Sequence, residues 1–131
     1  MILFVCTGNT CRSPLAAALV KARGVSADSA GLVVAMGSPA AAYAVRSAAR
    51  RGADLSGHRA KPVTAALIDG AECVYTMTKG QAFRLRSLFP EHWEKIRALR
   101  PEVPDPYGGE EEDYELCAER ILTALKNAGI L

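Results

Sequence analysis

The sequence predicts an α/β fold: a four-stranded parallel sheet with helices on both faces, a three-layer sandwich within one domain spanning residues 1–131. Three observations lead there. Short apolar runs alternate with segments of helical periodicity along the whole chain. The first run, Met1–Val5, is apolar without interruption, as in a strand covered on both faces. Ser-Pro pairs and single glycines punctuate the helical segments where starts and stops belong.

Taken in order, Met1–Val5 is the first strand, and Gly8 and Asn9 end it with turn chemistry. Ser13-Pro14 supplies an N-cap and a first helical position for a helix to about Arg23, which Gly24 stops. Residues 25–32 form a second strand. Ser38-Pro39 opens a helix in the same manner, running to Arg51 before Gly52. Residues 62–69 make a short helix, and Ala71–Met77 a third strand. Residues 78–89 are helical and closed by Pro90; residues 96–99 are the fourth strand. An acidic loop rich in Pro and Gly covers 101–112. From Asp113, Tyr114, Cys117, Ile121, Leu122 and Leu125 recur at helical spacing to Ala128. In such sheets ligands bind at the C-terminal ends of strands, and the first strand ends at Cys6.

Half of the chain is hydrophobic, enough for a core, and only 6% is aromatic. A net charge of +2 gives no footprint for nucleic acid. Eleven of the sixteen basic residues lie between Arg46 and Arg100, and eight of the fourteen acids between Glu102 and Glu119. Solvated helix faces account for this. No apolar stretch is long enough to span a membrane, and Met1–Val5 is too short for a secretory h-region, so a cytoplasmic location with reduced thiols is expected. Cys6, Cys11, Cys73 and Cys117 are then candidates for chemistry or packing. Their spacing, with only His58 and His92 beside them, does not make a zinc site, and no metal or cofactor is expected.

Residues 6–14 read Cys6-Thr7-Gly8-Asn9-Thr10-Cys11-Arg12-Ser13-Pro14 between a buried strand and a helix N-terminus. Free N–H groups and the helix dipole make this an anion site suited to phosphate. Gly8 lets successive N–H groups turn inward. Arg12 can grip two phosphate oxygens. The same positive field stabilises a Cys6 thiolate, a nucleophile aimed at a bound phosphorus. Alone, Cys6 reads as a small buried hydrophobe and Arg12 as a surface charge; together on one strand–loop–helix they point to catalysis.

This segment resembles the phosphate-binding loop of the low-molecular-weight protein tyrosine phosphatases, with its Cys-x-x-x-x-x-Arg-Ser pattern. Segments 28–31 (DSAG), 56–59 (SGHR), 74–78 (VYTMT) and 105–107 (DPY) agree in family order over nearly the whole chain. The resemblance implies a sheet of order 2-1-3-4. It implies Cys6 as nucleophile, Arg12 as phosphate ligand and Asp105 as general acid, then base for the hydrolytic water. Thr7, Gly8, Asn9, Thr10, Cys11 and Ser13 complete the loop. Asn9 and Ser13 support it, Ser13 by donating to Cys6, by capping the helix, or both, and His58 falls in the segment that places a histidine near the loop asparagine. Cys11 matches a second loop cysteine able to form a reversible disulfide with Cys6. Cys73 and Cys117 read as core. The segment between Pro14 and Ser29 is shorter than in the family, which implies a short first helix.

The chain also resembles a branch of the same family, the bacterial protein arginine phosphatases, in two places. Thr10 stands where tyrosine phosphatases commonly carry a bulky aliphatic residue, and Asp105-Pro106-Tyr107-Gly108-Gly109 matches that branch. A hydroxyl on the pocket wall suits a guanidinium, with Tyr107 forming the wall for either substrate. The expected activity is hydrolysis of phosphoarginine in proteins by a monomer; phosphotyrosine is the alternative. An arsenate reductase needs relay cysteines, which the core pattern of Cys73 and Cys117 does not offer. A phosphate-binding module without catalysis needs neither Cys6 nor Asp105.

Overall fold

The computed structural model describes residues 1–131. Four strands, β1 (Ile2–Cys6), β2 (Ala27–Gly31), β3 (Cys73–Thr76) and β4 (Ile96–Ala98), form one parallel sheet in the order β2-β1-β3-β4. The helices are α1 (Arg12–Lys21), α2 (Ala42–Arg50), α3 (Ala65–Asp69), α4 (Lys79–Leu88) and α5 (Glu111–Asn127), with a 3-10 turn over Pro90–Lys95.

Successive side chains of β1 alternate between the two faces. Phe4 and Cys6 enter a core shared with α1, α2 and α5, where Leu15, Ala44, Ile121 and Leu125 are buried. Leu3 and Val5 enter a smaller core with Ile68 of α3 and Leu85 of α4. Both faces of the central strand are thus covered, which is why Met1–Val5 carries no polar residue. All nine residues from Arg12 to Val20 are buried, because α1 lies between the sheet and α5.

Several boundaries differ from the sequence expectation. Ser38-Pro39 does not open α2, which begins at Ala42 without a side-chain cap. Residues 38–41 serve tertiary bonds instead: the Ser38 carbonyl accepts from Ala60 N, and Ala41 N donates to the Thr10 carbonyl at 2.9 Å. Residues 61–63 are not helical either. They run beside Gly31 through two backbone bonds, and α3 starts only after its cap, Thr64. In α5, Glu110 and Asp113 form a capping box that moves the start two residues earlier than Asp113. Cys73 is half-buried at the start of β3 rather than in the core; Cys117 is fully inside.

Candidate active site

β1 ends at Cys6, and residues 7–11 curl over the N-terminus of α1. Asn9 turns the loop with φ of 56°, a left-handed conformation that asparagine tolerates better than most residues. Its side chain is completely buried and fully bonded. Nδ2 donates to Ser13 Oγ at 2.9 Å and Ser29 Oγ at 3.0 Å, and Oδ1 accepts from Lys61 N at 3.0 Å. His58 Nε2 lies 2.7 Å from the Asn9 carbonyl. A carbonyl only accepts, so Nε2 carries the proton. Burial, the largest influence, holds His58 below the ordinary imidazole value, which keeps the ring neutral.

Cys6 Sγ accepts Asn9 N–H at 3.3 Å and lies 3.0 Å from Ser13 Oγ. Because Ser13 Oγ already accepts from Asn9, its own proton is free to turn toward the sulfur; the Ala30 carbonyl competes for it at 3.4 Å. Both contacts place a hydrogen-bond donor on the sulfur. Ser13 does not cap α1: the helix starts two residues earlier than expected, at Arg12, and Cys11 in the cap position makes no side-chain bond.

Arg12 is buried on the first turn of α1. Its Nη1 donates to the Val103 carbonyl at 3.1 Å, and its Nη2 stands 3.6 Å from Asp105 Oδ2. The acidic loop and the phosphate loop are joined by this one guanidinium. Asp105 is half exposed, and its other oxygen accepts Tyr107 N–H at 3.0 Å. Together, Cys6, Thr10, Arg12, Asp105, Tyr107 and Tyr114 line a cavity of about 200 Å³. Cys6 is its floor and Tyr107, 83% exposed, its rim.

Comparison with known proteins identifies the family. Residues 1–128 match the low molecular weight phosphotyrosine protein phosphatase family. The chain belongs to that family. It is a cysteine-dependent protein phosphatase acting on phosphorylated proteins. It is 37% identical over 134 residues to a protein-arginine-phosphatase of Geobacillus stearothermophilus, covering 95% of this chain and 90% of that protein. It is 33% identical over 121 residues to the low molecular weight protein-tyrosine-phosphatase Etp of Escherichia coli, covering 87% and 82%. The solved YwlE arginine phosphatase from Geobacillus stearothermophilus superposes with a TM-score of 0.91 at 34% identity, over 97% of this chain and 88% of that one.

The phosphatase's loop rests on residues that sequence reasoning passed over. Gln81 on α4 donates from Nε2 to Thr7 Oγ1 at 3.1 Å, while its Oε1 accepts Met77 N–H and Thr78 N–H. The signal was present as Thr78-x-x-Gln81, a capping-box spacing. Ser29 and Lys61 hold Asn9, and Lys61 Nζ pairs with Asp28 at 2.6 Å. Cys117 of α5 is the buried neighbour of Cys11. That interaction and then burial push the Cys11 thiol well above its usual value, so it stays protonated. Cys73 lies at the opposite end of the sheet from the phosphate loop.

Proposed function

We propose that this phosphatase hydrolyses phosphoarginine in proteins through a phosphocysteine intermediate. The observation that carries the chemistry is the convergence of Cys6 Sγ, the Arg12 guanidinium and the Asp105 carboxyl on one small cavity at a helix N-terminus. Arg12 and the loop amides would hold the phosphoryl oxygens and neutralise charge that builds on them. Cys6 attacks in line: an S–P bond forms as the bond to the substrate nitrogen breaks. Asp105 gives its proton to the departing guanidine. It then takes a proton from the water that attacks the phosphocysteine, releasing inorganic phosphate and the Cys6 thiolate.

Two observations favour arginine over tyrosine. The 37% identical relative is a protein-arginine-phosphatase. Thr10 lines the cavity, and a hydroxyl suits a polar guanidinium better than the bulky aliphatic side chain common in tyrosine phosphatases. The similarity to Etp keeps phosphotyrosine as the second reading. Turnover of matched phosphoarginine and phosphotyrosine peptides tests the choice: a higher kcat/KM on phosphoarginine is expected, and the reverse overturns it. Thr10→Ile should lower phosphoarginine turnover and raise phosphotyrosine turnover. Losing a polar contact costs about 1–3 kcal/mol, so the first effect should be the larger. Cys6→Ser should abolish turnover yet keep phosphate affinity; residual activity near the original rate removes Cys6 from the mechanism.

A further inference from the structure

A second concavity, of about 690 Å³, runs along the free edge of β4 between α4 and the C-terminal end of α5. Four of its lining side chains are cationic: Lys79, Arg86, Arg97 and Arg100. No acidic side chain lines it. Phe83, 75% exposed, adds an apolar contact on one wall. The Arg86 Nε–H is buried without a partner, a donor still to be satisfied.

No strand pairs with the outer edge of β4. The Ile96 carbonyl on that edge takes the Arg86 guanidinium, and the Arg100 carbonyl takes the Asn127 amide at 3.1 Å. Ala98, midway between them, also lines the concavity and is the position open to an incoming backbone. All four strands are parallel, so β4 ends at the same rim as β1 with its Cys6. From β4 the chain continues to Val103, which receives Arg12, and to Asp105. Between groove and catalytic cavity lies a shallow hollow that adds one more cation, Arg84.

We infer that this groove binds an acidic, extended segment of the protein substrate, next to the phosphorylated side chain held in the catalytic cavity. The inference rests on the phosphatase reading for that side chain. It assigns the flanking contact to charge: carboxylates meet the four cations while the peptide backbone adds to the β4 edge. The four cations, with Glu102 at the Lys79 amide as the one neighbouring carboxylate and none in the lining itself, select a polyanionic peptide over a neutral or basic one.

The test uses Lys79→Glu/Arg97→Glu. Both residues are exposed, and neither belongs to the catalytic cavity. The probe is a fluorescein-labelled, unphosphorylated peptide rich in Asp and Glu, followed by anisotropy. Binding to the full-length protein should weaken at least tenfold in the double variant and in high salt, and should survive Cys6→Ser. The KM of a phosphoarginine peptide with acidic flanks should rise by the same factor at constant kcat, with aryl phosphate turnover unchanged. Lys79→Gln/Arg97→Gln should give an intermediate loss. Equal binding of the acidic peptide by the glutamate variant overturns the proposal. So does equally tight binding of a neutral peptide, or tighter binding of single-stranded RNA of the same length. If acidic peptide binding follows the charges but phosphoarginine is not turned over, the substrate reading fails and the groove stands.

Discussion

Asn9 shows how one side chain can set the shape of a catalytic loop. It supplies the left-handed turn and ties residues 13, 29 and 61 to the loop through its amide. Asn9→Ala leaves several buried groups without partners, each worth about 1–3 kcal/mol; a loss of at least 2 kcal/mol by urea denaturation is expected from the same rule, with a larger loss in kcat/KM. Asp105→Asn should slow peptide substrates far more than activated aryl phosphates, by about 10²- to 10⁴-fold on the former; equal losses would assign Asp105 another task. His58 adds a pH dependence with a definite sign. Its value in the fold is lowered, chiefly by burial, so the unfolded chain binds a proton more readily than the native one. Stability from this group is therefore present above the unfolded value of about 6.5 and falls as pH drops through and below it. Calorimetry from pH 7.5 to pH 5 should show that decline, and His58→Gln should flatten it. The residues that line the cavity were legible: Cys6 to Arg12 as one local strand–loop–helix motif, and Asp105 through the family resemblance. The supports were harder to see: Ser29, Lys61 and Gln81 act across the fold, and the one local mark, the Thr78-x-x-Gln81 spacing, signals a helix cap and not a bond to Thr7.

At the scale of elements, strands and helix order followed from periodicity, whereas helix starts did not. Ser38-Pro39 has every local mark of an N-terminus, yet the chain there is held extended by bonds to Thr10 and Ala60. Tertiary hydrogen bonds overrode a local preference worth about 1 kcal/mol. The junction of β2 with the phosphate loop is equally non-local. At Gly31 a Cβ would meet the Val34 side chain at 2.5 Å, the Thr7 carbonyl at 2.8 Å and Asn9 Cβ at 3.0 Å. Gly31→Ala should therefore push on the loop itself, at a cost of about 1–3 kcal/mol. A drop in both thermal midpoint and turnover is expected, and an unchanged kcat would show that the loop does not depend on this close approach. The α2–α5 contact is different in kind. Arg50 and Arg51 meet Glu111, Glu115 and Glu119 on the surface. Exposed pairs contribute little and are screened by salt, so these ion pairs orient the helices more than they stabilise them.

For the molecule as a whole, the sheet's C-terminal rim gathers the phosphate loop, the Arg12–Asp105 pair and the cationic edge of β4 on one side. The opposite rim holds Cys73 and carries no comparable cluster. Cys6 and Cys11 both lie on the working side. Hydroperoxide should inactivate the enzyme by oxidising Cys6, which Cys11 then captures as a disulfide, and Cys11→Ser should make the damage harder to reverse; mass spectrometry finding no Cys6–Cys11 linkage would refute this. The fully bonded Asn9 has one more result. A loop already folded around its own amide has little left to order when an anion arrives, so little of the contact energy is spent on ordering it, and the affinity stabilises the native chain. That gain follows RT ln(1 + [L]/Kd), about 2.7 kcal/mol when phosphate stands at 100 times its dissociation constant. Inorganic phosphate, the product, should then slow turnover and protect against heat: the melting temperature should climb with the logarithm of its concentration, and Arg12→Ala should erase the slope.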